Sequence, residues 1–312
     1  MTPSVVQPEK KRLLLVMNPC AGVRRANRYL SNIASLFMKY GYETLLCMTE
    51  KRGDATAFVL RHVHEVELVV AVGGDGTFNE VLAGLLQSGA DCPIGYIPAG
   101  STNDFGASLG LSKNILRAAE DIMLGTPHTL DVGQFGNRYF SYVASFGAFT
   151  KVSYATPQNV KNAMGHLAYI LQGIRDLGSL RPRHVRFEVE GEVFEDDYIF
   201  GAVSNSTSVG GILTLDPGVV DMNDGRFELL LIRSPKNLIE LNDCIRALTT
   251  RDYSAPMLTF CSASHARILA SADMDWTLDG EFEPGHAEVE VRNLHNAIRL
   301  MMRDKRQTDE AE

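Results

Sequence analysis

Short apolar runs alternate with helically spaced apolar positions from Arg12 to about Asp131. Continuous runs such as Leu13–Met17 are typical of strands that are buried on both faces. The alternation of such runs with helical stretches predicts a parallel sheet that is covered by helices on both faces. Strands are predicted at Arg12–Asn18, Tyr42–Met48, Leu68–Val72 and Ile94–Ile97, and helices at Asn27–Tyr40, Asp54–His64 (with Asp54 as N-cap), Phe78–Leu86 and Asn114–Leu124.

The pattern changes after about Thr129, where strand-like runs are separated by turn signals such as Asp279-Gly280. Two helical stretches interrupt them, near Lys161–Leu177 and Pro235–Leu248. We therefore predict an α/β N-terminal domain with a parallel sheet, followed by a mostly β C-terminal domain of the sandwich type. The predicted domains are residues 1–131 and 132–295, with residues 296–312 returning to the first domain.

Composition narrows the function classes. The 312-residue chain has a formal net charge of −8, which argues against nucleic acid as the main partner because no excess of positive charge is present to neutralise phosphates. The five cysteines show no CxxC spacing, so we expect reduced, buried thiols rather than a disulfide framework or a zinc site. No apolar run approaches the roughly 20 residues of a membrane span, and the run after Arg12 is too short for a signal peptide. We expect a cytoplasmic protein that meets a membrane only from the side.

The segment VAVGGDGTFNEV carries the first chemical signal. Glycines between a strand and a helix allow backbone N–H groups to approach a phosphate closely. The Walker A pattern is absent, and the dinucleotide pattern GxGxxG fails because its last position is Asn79. Asp75 would repel a triphosphate unless a cation such as Mg²⁺ stood between them, so the segment suggests metal-assisted phosphoryl transfer. The alternative is a tight turn capped by Asp75 and Thr77.

Two further loops follow predicted strands. Asn18–Gly22 (NPCAG) follows the first strand and Pro98–Phe105 (PAGSTNDF) follows the fourth. Because the carboxyl ends of parallel strands share one rim of the sheet, the three loops are expected to meet there and form a nucleotide pocket.

Together, NPxxG, GGDGTxNEV and PxGTxNDF resemble the diacylglycerol kinase catalytic-domain family. Soluble bacterial lipid kinases of the diacylglycerol kinase type are the nearest match; sphingosine and ceramide kinases share the domain, and NAD kinases and phosphofructokinases are more distant. The resemblance covers nearly the whole chain. The family's usual Thr after PxG is Ser101 here, which keeps a hydroxyl.

The resemblance implies an NAD-kinase-like fold and assigns ATP-binding positions. Thr49 lies in a TExxGDA-like segment, which by itself would be an ordinary helix start. The implied ATP-binding residues are Asn18, Pro19, Cys20, Ala21, Gly22, Thr49, Gly73, Gly74, Asp75, Gly76, Thr77, Phe78, Asn79 and Ser101.

Two magnesium sites are implied in the same way. Asp75, which is also assigned a catalytic role, would hold the catalytic Mg²⁺ through waters together with Asp104 and Asp131. By itself Asp104 would be a helix N-cap, and Asp131 would be a residue of a domain-junction turn. A structural Mg²⁺ would be held by the Asp224 side chain and by the backbone carbonyls of Asp221 and Arg226, at a turn that otherwise reads as a hairpin.

The family's catalytic base lies in a late DGE segment, which here is Asp279-Gly280-Glu281. Without the resemblance, Asp-Gly would be a hairpin signal and Glu281 a solvated residue.

The resemblance therefore predicts an ATP-dependent lipid kinase, with diacylglycerol as the expected acceptor and phosphatidic acid as the product. A sphingoid base, a polyprenol or phosphatidylglycerol remain alternative acceptors; an NAD kinase-like enzyme and a nucleotide-binding module without catalysis remain alternative functions. Peripheral membrane contact is expected, and a homodimer is left open. Candidate lipid contacts are Phe140–Phe149 and Leu167–Ile174, and the densest basic patch is Arg175, Arg181, Arg183, His184 and Arg186.

Overall fold

A computed structural model describes residues 11–24, 26–147, 171, 180–206, 208–209, 213–214 and 221–303. The chain folds into two compact units, one formed by Met1–Thr129 and Ile298–Glu312 and the other by Leu130–Ala297. The helix predicted near Lys161–Leu177 lies outside the described residues, apart from residue 171.

The first unit is built on four parallel strands in the spatial order β2-β1-β3-β4. These are β1 (Lys11–Met17), β2 (Tyr42–Met48), β3 (Leu68–Gly73) and β4 (Ile94–Pro98). The central strands β1 and β3 are almost wholly buried, which explains their continuous apolar sequence. The predicted α/β architecture with a parallel sheet is confirmed.

Six α-helices accompany this sheet among the described residues. They are α1 (Ala21–Arg24), α2 (Leu30–Lys39), α3 (Asp54–His62), α4 (Asp75–Ser88), α5 (Asp104–Ser108) and α6 (Ile115–Leu124). Ile33 and Phe37 of α2 have no solvent exposure and belong to the same core cluster as Leu13 and Leu15 of β1. Helix α4 begins three residues earlier than the apolar pattern predicts, because Asp75-Gly76-Thr77 forms its first turn rather than a loop.

The second unit is mostly antiparallel β-structure, as predicted. Helix α7 (Leu238–Thr250) begins after Asn237, whose side chain accepts hydrogen bonds from two of the first backbone N–H groups. Aromatic residues such as Trp276, Phe146 and Phe187 fill the core. The strands are β5 (Thr126–Phe135), β6 (Arg138–Phe140), β7 (Val143–Gly147), β8 (Arg183–Val189), β9 (Glu192–Ser204), β10 (Ser208–Val209), β11 (Leu213–Thr214), β12 (Phe227–Arg233), β13 (Leu258–Ala263), β14 (His265–Ala270), β15 (Trp276–Leu278), β16 (Glu281–Glu283) and β17 (Glu288–Met302).

Strand β17 serves both units. Its first part pairs with β14, as in Val291 with Ala266, and belongs to the second unit. From Ile298 onward it belongs to the first unit, where Leu300 pairs in parallel with Ile94 of β4.

Candidate functional site

The three loops expected to bind nucleotide, and Thr49 with them, follow the carboxyl ends of the parallel strands of the first unit. The backbone N–H of Asn18 donates to β3, that of Thr49 donates to β1, and that of Ala99 donates to Gly73, at donor–acceptor distances between 2.7 and 2.9 Å. The residues that follow β1, β2 and β4 therefore lie along one edge of the sheet, as the parallel pattern predicts.

Glycines allow these loops to touch through their backbones. A Cβ atom on Gly100 would lie 2.5 Å from the Cα atom of Gly74, so the second and third loops approach more closely than any side chain permits. Gly22 has φ +53°, and a Cβ there would lie 2.1 Å from the carbonyl oxygen of Ala99. The glycines thus hold all three loops together and leave backbone groups at their surface.

Asn18 links the first loop to α4. Its Nδ2 group donates to Oγ1 of Thr77 at 3.4 Å, and its Oδ1 accepts from the backbone N–H of Cys20 at 2.9 Å. Thr77 in turn packs on Gly73, where a Cβ would lie 2.4 Å from Oγ1 of Thr77. The N-terminal turn of this 14-residue helix, whose dipole favours an anion, therefore points at the shared edge.

Asp75 joins the second loop to the third. Its carboxylate accepts hydrogen bonds from the backbone N–H groups of Asp104 at 2.9 Å and Phe105 at 3.3 Å. The prediction that Asp104 caps a helix is wrong in detail: Asp104 is the first residue of α5, Asn103 precedes it without a side-chain cap, and Asp75 supplies the acceptor. This arrangement brings Asp75 and Asp104 together.

An aromatic layer lies beneath this contact. Phe78 is fully buried and stacks on Phe105 with ring centroids 4.6 Å apart, so Phe78 supports the loop from within the core. The hydroxyl of Tyr96 donates to Asp75 at 3.5 Å. Burial, followed by the charge of Asp75, raises the pKa of Tyr96 far above its usual value, so this hydroxyl keeps its proton.

Asp54 does not act as the predicted N-cap of α3. It is the first helical residue, and its Oδ2 accepts from the backbone N–H groups of Glu50 and Lys51, both at 2.8 Å. These bonds close the turn that follows Thr49 and hold the pKa of Asp54 below its usual value.

The cap of α3 comes instead from Glu80, a residue of the GGDGTFNEV segment that no sequence signal assigned to α3. Glu80 accepts from the backbone N–H of Gly53 at 2.8 Å through Oε1 and from that of Ala55 at 3.2 Å through Oε2. Helix α4, through the carboxylate of Glu80 in its second turn, is therefore tied to the turn that follows Thr49.

In the second unit, Asp279 and Gly280 form the two-residue turn of the β15–β16 hairpin, with φ values of +51° and +81°. The Asp279 carboxylate is buried and accepts hydrogen bonds from the backbone N–H groups of Ser141, Tyr142 and Val143 at 2.6 to 3.0 Å, and from the Ser141 hydroxyl at 2.9 Å. Burial raises its pKa to about 6, although these donors oppose the shift.

Glu281 follows this turn at the start of β16. Its carboxylate lies 3.3 Å from the guanidinium of Arg138, which also contacts the Glu283 carboxylate and donates to the carbonyl oxygen of Phe282 at 3.2 Å. The Glu281 side chain is about one-third exposed. Glu281 is thus a partly exposed carboxylate that is held against a cation, rather than a freely solvated residue.

Comparison with known proteins places this geometry in a family. Residues 12–135 match the family described as diacylglycerol kinase catalytic domain, and residues 143–302 match the YegS C-terminal NAD kinase beta sandwich-like domain. A protein named diacylglycerol kinase from Bacillus subtilis (strain 168) is 34% identical over 94% of this chain and 96% of its own length. The chain belongs to the diacylglycerol kinase family.

Other diacylglycerol kinases agree with this assignment. A protein of that name from Staphylococcus aureus is 32% identical over 93% of this chain and 91% of its own. A crystal structure of a diacylglycerol kinase from Bacillus anthracis has a TM-score of 0.71, is 22% identical, and covers 94% of this chain and 97% of that one. The similarity to the Bacillus anthracis structure concerns the fold, and it agrees with the predicted architecture.

Asp131 lies among residues of the second unit. It is 1% exposed; its Oδ1 accepts from Nδ1 of His295 at 2.9 Å and from the backbone N–H of Asn296 at 2.8 Å, and its Oδ2 accepts from that of Gly225 at 2.7 Å. Asp131 thus braces the turn at residues 221–226. Its assignment to the catalytic magnesium set of the diacylglycerol kinase family stays a prediction.

The turn at 221–226 presents the predicted structural cation ligands. Asp224 caps its own turn by accepting from the backbone N–H of Arg226 at 2.8 Å, and the carbonyl oxygen of Arg226 accepts from Nδ2 of Asn293 at 2.7 Å. Asp221 accepts from the N–H of Asn223 at 3.0 Å. The side chains of the turn and Asn293 therefore stabilise its conformation. The oxygen atoms of the turn keep lone pairs with which to bind a cation.

Three buried side-chain oxygens at or near this turn have no hydrogen-bond partner among the described residues. They are Oδ1 of Asn293, Oε2 of Glu228, a residue 2% exposed, and Oδ1 of Asn205, which is 0% exposed and whose Nδ2 donates to the carbonyl oxygen of Asp131. Burial, and after it the charge of Asp224, raises the pKa of Glu228 to about 8. Oxygen donors with unfilled bonding capacity next to carboxylates fit a hard divalent cation such as Mg²⁺.

The predicted lipid and membrane contacts are only partly described. Phe140 to Gly147 are almost wholly core, whereas residues 148–149 and, apart from residue 171, Leu167–Ile174 lie outside the described residues, as does Arg175. Arg183, His184 and Arg186 have carboxylate oxygens 2.9 to 3.2 Å away. The basic patch predicted on this strand is therefore largely balanced by acidic partners.

Over the described ranges, no three His, Cys, Asp or Glu side chains come together as a ready-made metal cluster. In the same part of the chain, the helices are too short or too polar to cross a membrane. The five cysteines are free thiols; Cys92 and Cys244 are buried as expected, whereas Cys20 is exposed and Cys47 and Cys261 are half-buried. Burial raises the pKa of Cys244 to about 12.

Proposed function

We propose that the chain transfers the γ-phosphoryl group of ATP to the free hydroxyl of diacylglycerol and so forms phosphatidic acid. Membership in the diacylglycerol kinase family supports ATP-dependent lipid phosphorylation, and the relatives that share about a third of its residues carry that name. The observation that carries the proposal is the contact between Gly74 and Gly100, which joins the GGDG and PAGS loops at the carboxyl edge of a parallel sheet.

ATP would bind along this edge. Backbone N–H groups of the glycine loops and the N-terminus of α4 offer donors to its phosphates, because the first N–H groups of a helix lack partners within the helix. The hydroxyls of Thr49, Thr77 and Ser101 and the amide of Asn18 supply further polar contacts. Fixed donors of this kind position the phosphates and balance their charge during transfer.

Asp75 and Asp104 would hold the catalytic Mg²⁺. The Asp75 carboxylate is bonded to the backbone N–H of Asp104 beside the phosphate-binding loops, and two acidic residues at this position fit a cation that prefers oxygen ligands and phosphate. When bound, Mg²⁺ supplies charge neutralisation on the phosphate oxygens. The chain's own contribution is to fix Asp75, which the amides of Asp104 and Phe105 orient and the hydroxyl of Tyr96 supports.

Glu281 would act as the general base. The acceptor hydroxyl gives its proton to the Glu281 carboxylate, its oxygen forms a bond to the γ-phosphorus, and the bond from that phosphorus to the β–γ bridging oxygen breaks, so that ADP leaves. The short hairpin that is fixed through Asp279 supports this role, because a base must be held within reach of the proton it accepts.

The acceptor resides in a membrane, so the enzyme would dock on the membrane surface reversibly. Phe282, next to Glu281, is 58% exposed and would reach into the lipid interface. Apolar contact of this kind does not depend on the basic strand at residues 183–186, whose charges are paired.

An acceptor panel in mixed micelles tests the proposal. Purified protein with ATP and Mg²⁺ is offered diacylglycerol, sphingosine, a polyprenol, phosphatidylglycerol or NAD, and the products are identified by mass spectrometry. Phosphatidic acid from diacylglycerol, and its loss in the Asp75→Asn variant, is the expected result. Preferential phosphorylation of another acceptor would replace the substrate, and ATP binding without transfer to any acceptor would favour a nucleotide-binding module.

A further inference from the structure

Arg138 connects the candidate base to a buried acidic anchor. It stands on β6, directly after the Gly136-Asn137 turn, and its guanidinium reaches both Glu281 and Glu283 on β16. Residues 281 and 283 are two apart on one strand, so their side chains share a face. A planar guanidinium with several N–H donors is suited to bridge two such carboxylates.

The three charges are not equivalent. The Glu283 side chain is only 9% exposed, whereas those of Glu281 and Arg138 are 34% and 32% exposed. Glu283 also contacts His286, with Oε1 of the carboxylate 3.0 Å from Nε2 of the ring. Glu283 is therefore the fixed end of the network, and Glu281 is the end that faces solvent.

A backbone carbonyl also orders the Arg138 guanidinium. Its Nη1 group donates to the carbonyl oxygen of Phe282 at 3.2 Å in addition to contacting Glu283. An exposed ion pair usually contributes little, because two long side chains must be ordered to form it. Here Glu283 and Phe282 have already ordered the guanidinium, so its Nη2 contact with Oε2 of Glu281, at 3.3 Å, costs little further entropy.

We propose that Arg138 is a positioning residue that orients the Glu281 carboxylate for its role as general base, with Glu283 as the anchor of Arg138. This inference rests on the proposed function. A general base must be held within reach of the proton that it accepts, and the contact with the Arg138 guanidinium fixes the orientation of the Glu281 carboxylate. Among the residues that the structure describes, the charged groups near Glu281 include Arg138 on β6, Glu283 on its own strand, His286 after that strand, and Asp279 at the hairpin turn.

A double-mutant cycle tests whether Arg138 acts through Glu281. The variants are Arg138→Gln, Glu281→Gln and the double variant, assayed for kcat and for the KM of ATP. We expect Arg138→Gln to lower kcat by roughly 10- to 100-fold with the KM of ATP nearly unchanged, and to have almost no further effect when residue 281 is already Gln. Arg138→Lys keeps a positive charge and should recover part of the loss.

Arg267→Gln is the matched control. Arg267 also bridges two glutamates of the second unit, Glu188 and Glu288, at 2.8 to 3.1 Å, but it does not contact Glu281. The Arg267→Gln substitution should therefore leave kcat unchanged. Glu283→Gln loosens the anchor of Arg138 without touching the base, so it should lower kcat less than Arg138→Gln and also lose its effect in the Glu281→Gln background. Thermal unfolding of every variant identifies any that fail to fold.

The outcomes separate this inference from the proposed function. If Arg138→Gln and Glu281→Gln lower kcat by independent, multiplying factors, Arg138 serves the fold and the positioning role is overturned while the kinase stands. If Arg138→Gln is as active as the Arg267→Gln control, the inference is overturned as well. If the unaltered protein transfers no phosphate to diacylglycerol, the proposed function itself fails.

Discussion

Asp279 accepts two hydrogen bonds from Ser141, one from its backbone N–H at 2.6 Å and one from its hydroxyl at 2.9 Å. Two more come from the amides of the next two residues. The carboxylate therefore fixes the hairpin that carries Glu281 onto the segment between β6 and β7. Because Asp279 is buried, its ionisation also links the stability of the hairpin to pH.

Asp279→Asn should change how stability depends on pH. The pKa of Asp279 in the folded protein, about 6, exceeds its usual unfolded value of about 4, so its stabilising contribution is complete below about pH 4 and is lost as pH rises through about 6. Relative to Asp279→Asn, the free energy of unfolding of the natural protein should fall by on the order of 3 kcal/mol from pH 4 to 6.5 and then level off. Chemical denaturation at several pH values measures this, and a constant difference would show that burial does not raise the pKa.

Asp75 has a structural role and a proposed catalytic role, which two substitutions can separate. Asp75→Ala removes the acceptor for the first amides of α5 and should cost about 1 kcal/mol of stability besides abolishing transfer. Asp75→Asn keeps one oxygen acceptor but not the charge, so it should unfold near the natural temperature and still be inactive. Phosphatidic acid formation and thermal unfolding provide the measurements; an active Asp75→Asn variant would remove the magnesium argument.

Glu80→Ala should weaken ATP binding without touching the phosphate loops. It removes the acceptor for the amides of Gly53 and Ala55, which should cost about 1–2 kcal/mol and loosen the turn that follows Thr49. The KM of ATP should rise while kcat changes little, and Glu80→Gln, which retains one oxygen, should show a smaller effect. Steady-state kinetics at saturating diacylglycerol decide this. A fall in kcat at constant KM would place Glu80 in the chemical step instead.

Glu281→Gln keeps the shape of the side chain and removes its capacity to accept a proton. We expect kcat to fall by ~10²–10⁴-fold with ATP affinity nearly intact, because an interaction realised in the transition state does not appear in ground-state binding. Turnover and equilibrium ATP binding are measured on the same preparation. Near-natural turnover would return Glu281 to the role of a surface residue after a hairpin, and loss of ATP binding would assign it to the nucleotide site.

Asp224 should make the second unit responsive to Mg²⁺. In the absence of ATP, Mg²⁺ should raise the unfolding temperature of the natural protein, since a ligand that binds only the folded state stabilises it. Asp224→Ala should abolish this response. Asp221→Ala is the matched control, because it keeps the backbone carbonyl that would serve as ligand. If Mg²⁺ does not change the unfolding temperature of the natural protein, a structural cation at this turn is excluded.

The sequence predicts the parts of this molecule that depend on neighbours along the chain. Strand β2 has the predicted bounds, and the loops after β1, β3 and β4 meet as expected, because buried apolar runs and strand-end glycines are local signals. The cap that Glu80 provides for α3 and the bridge from Arg138 to Glu281 were not predictable in this way. Their partners are 25 to 143 residues apart in sequence, so only the folded chain brings them together.

For the acidic residues too, the sequence predicts the position of a residue but not its partners in the folded chain. Asp75 was predicted to matter for its charge, but its hydrogen bonds to the amides of Asp104 and Phe105 depend on how two loops pack. Asp54 lies at a helix start, as the sequence indicates, yet it bonds backward to Glu50 and Lys51 because Glu80 already occupies the capping position. Sequence patterns thus locate such residues well and assign their partners poorly.

The pairing of Leu300 with Ile94 has a consequence for synthesis of the chain on the ribosome. Strand β4 is complete early, but the strand that covers its outer side is translated only after the whole second unit. During that interval an apolar edge with unpaired backbone groups is exposed to other nascent chains. Folding of the nucleotide-binding unit is therefore expected to end after translation of β17, and truncation before Ile298 should yield a protein that aggregates rather than a smaller ATP-binding domain.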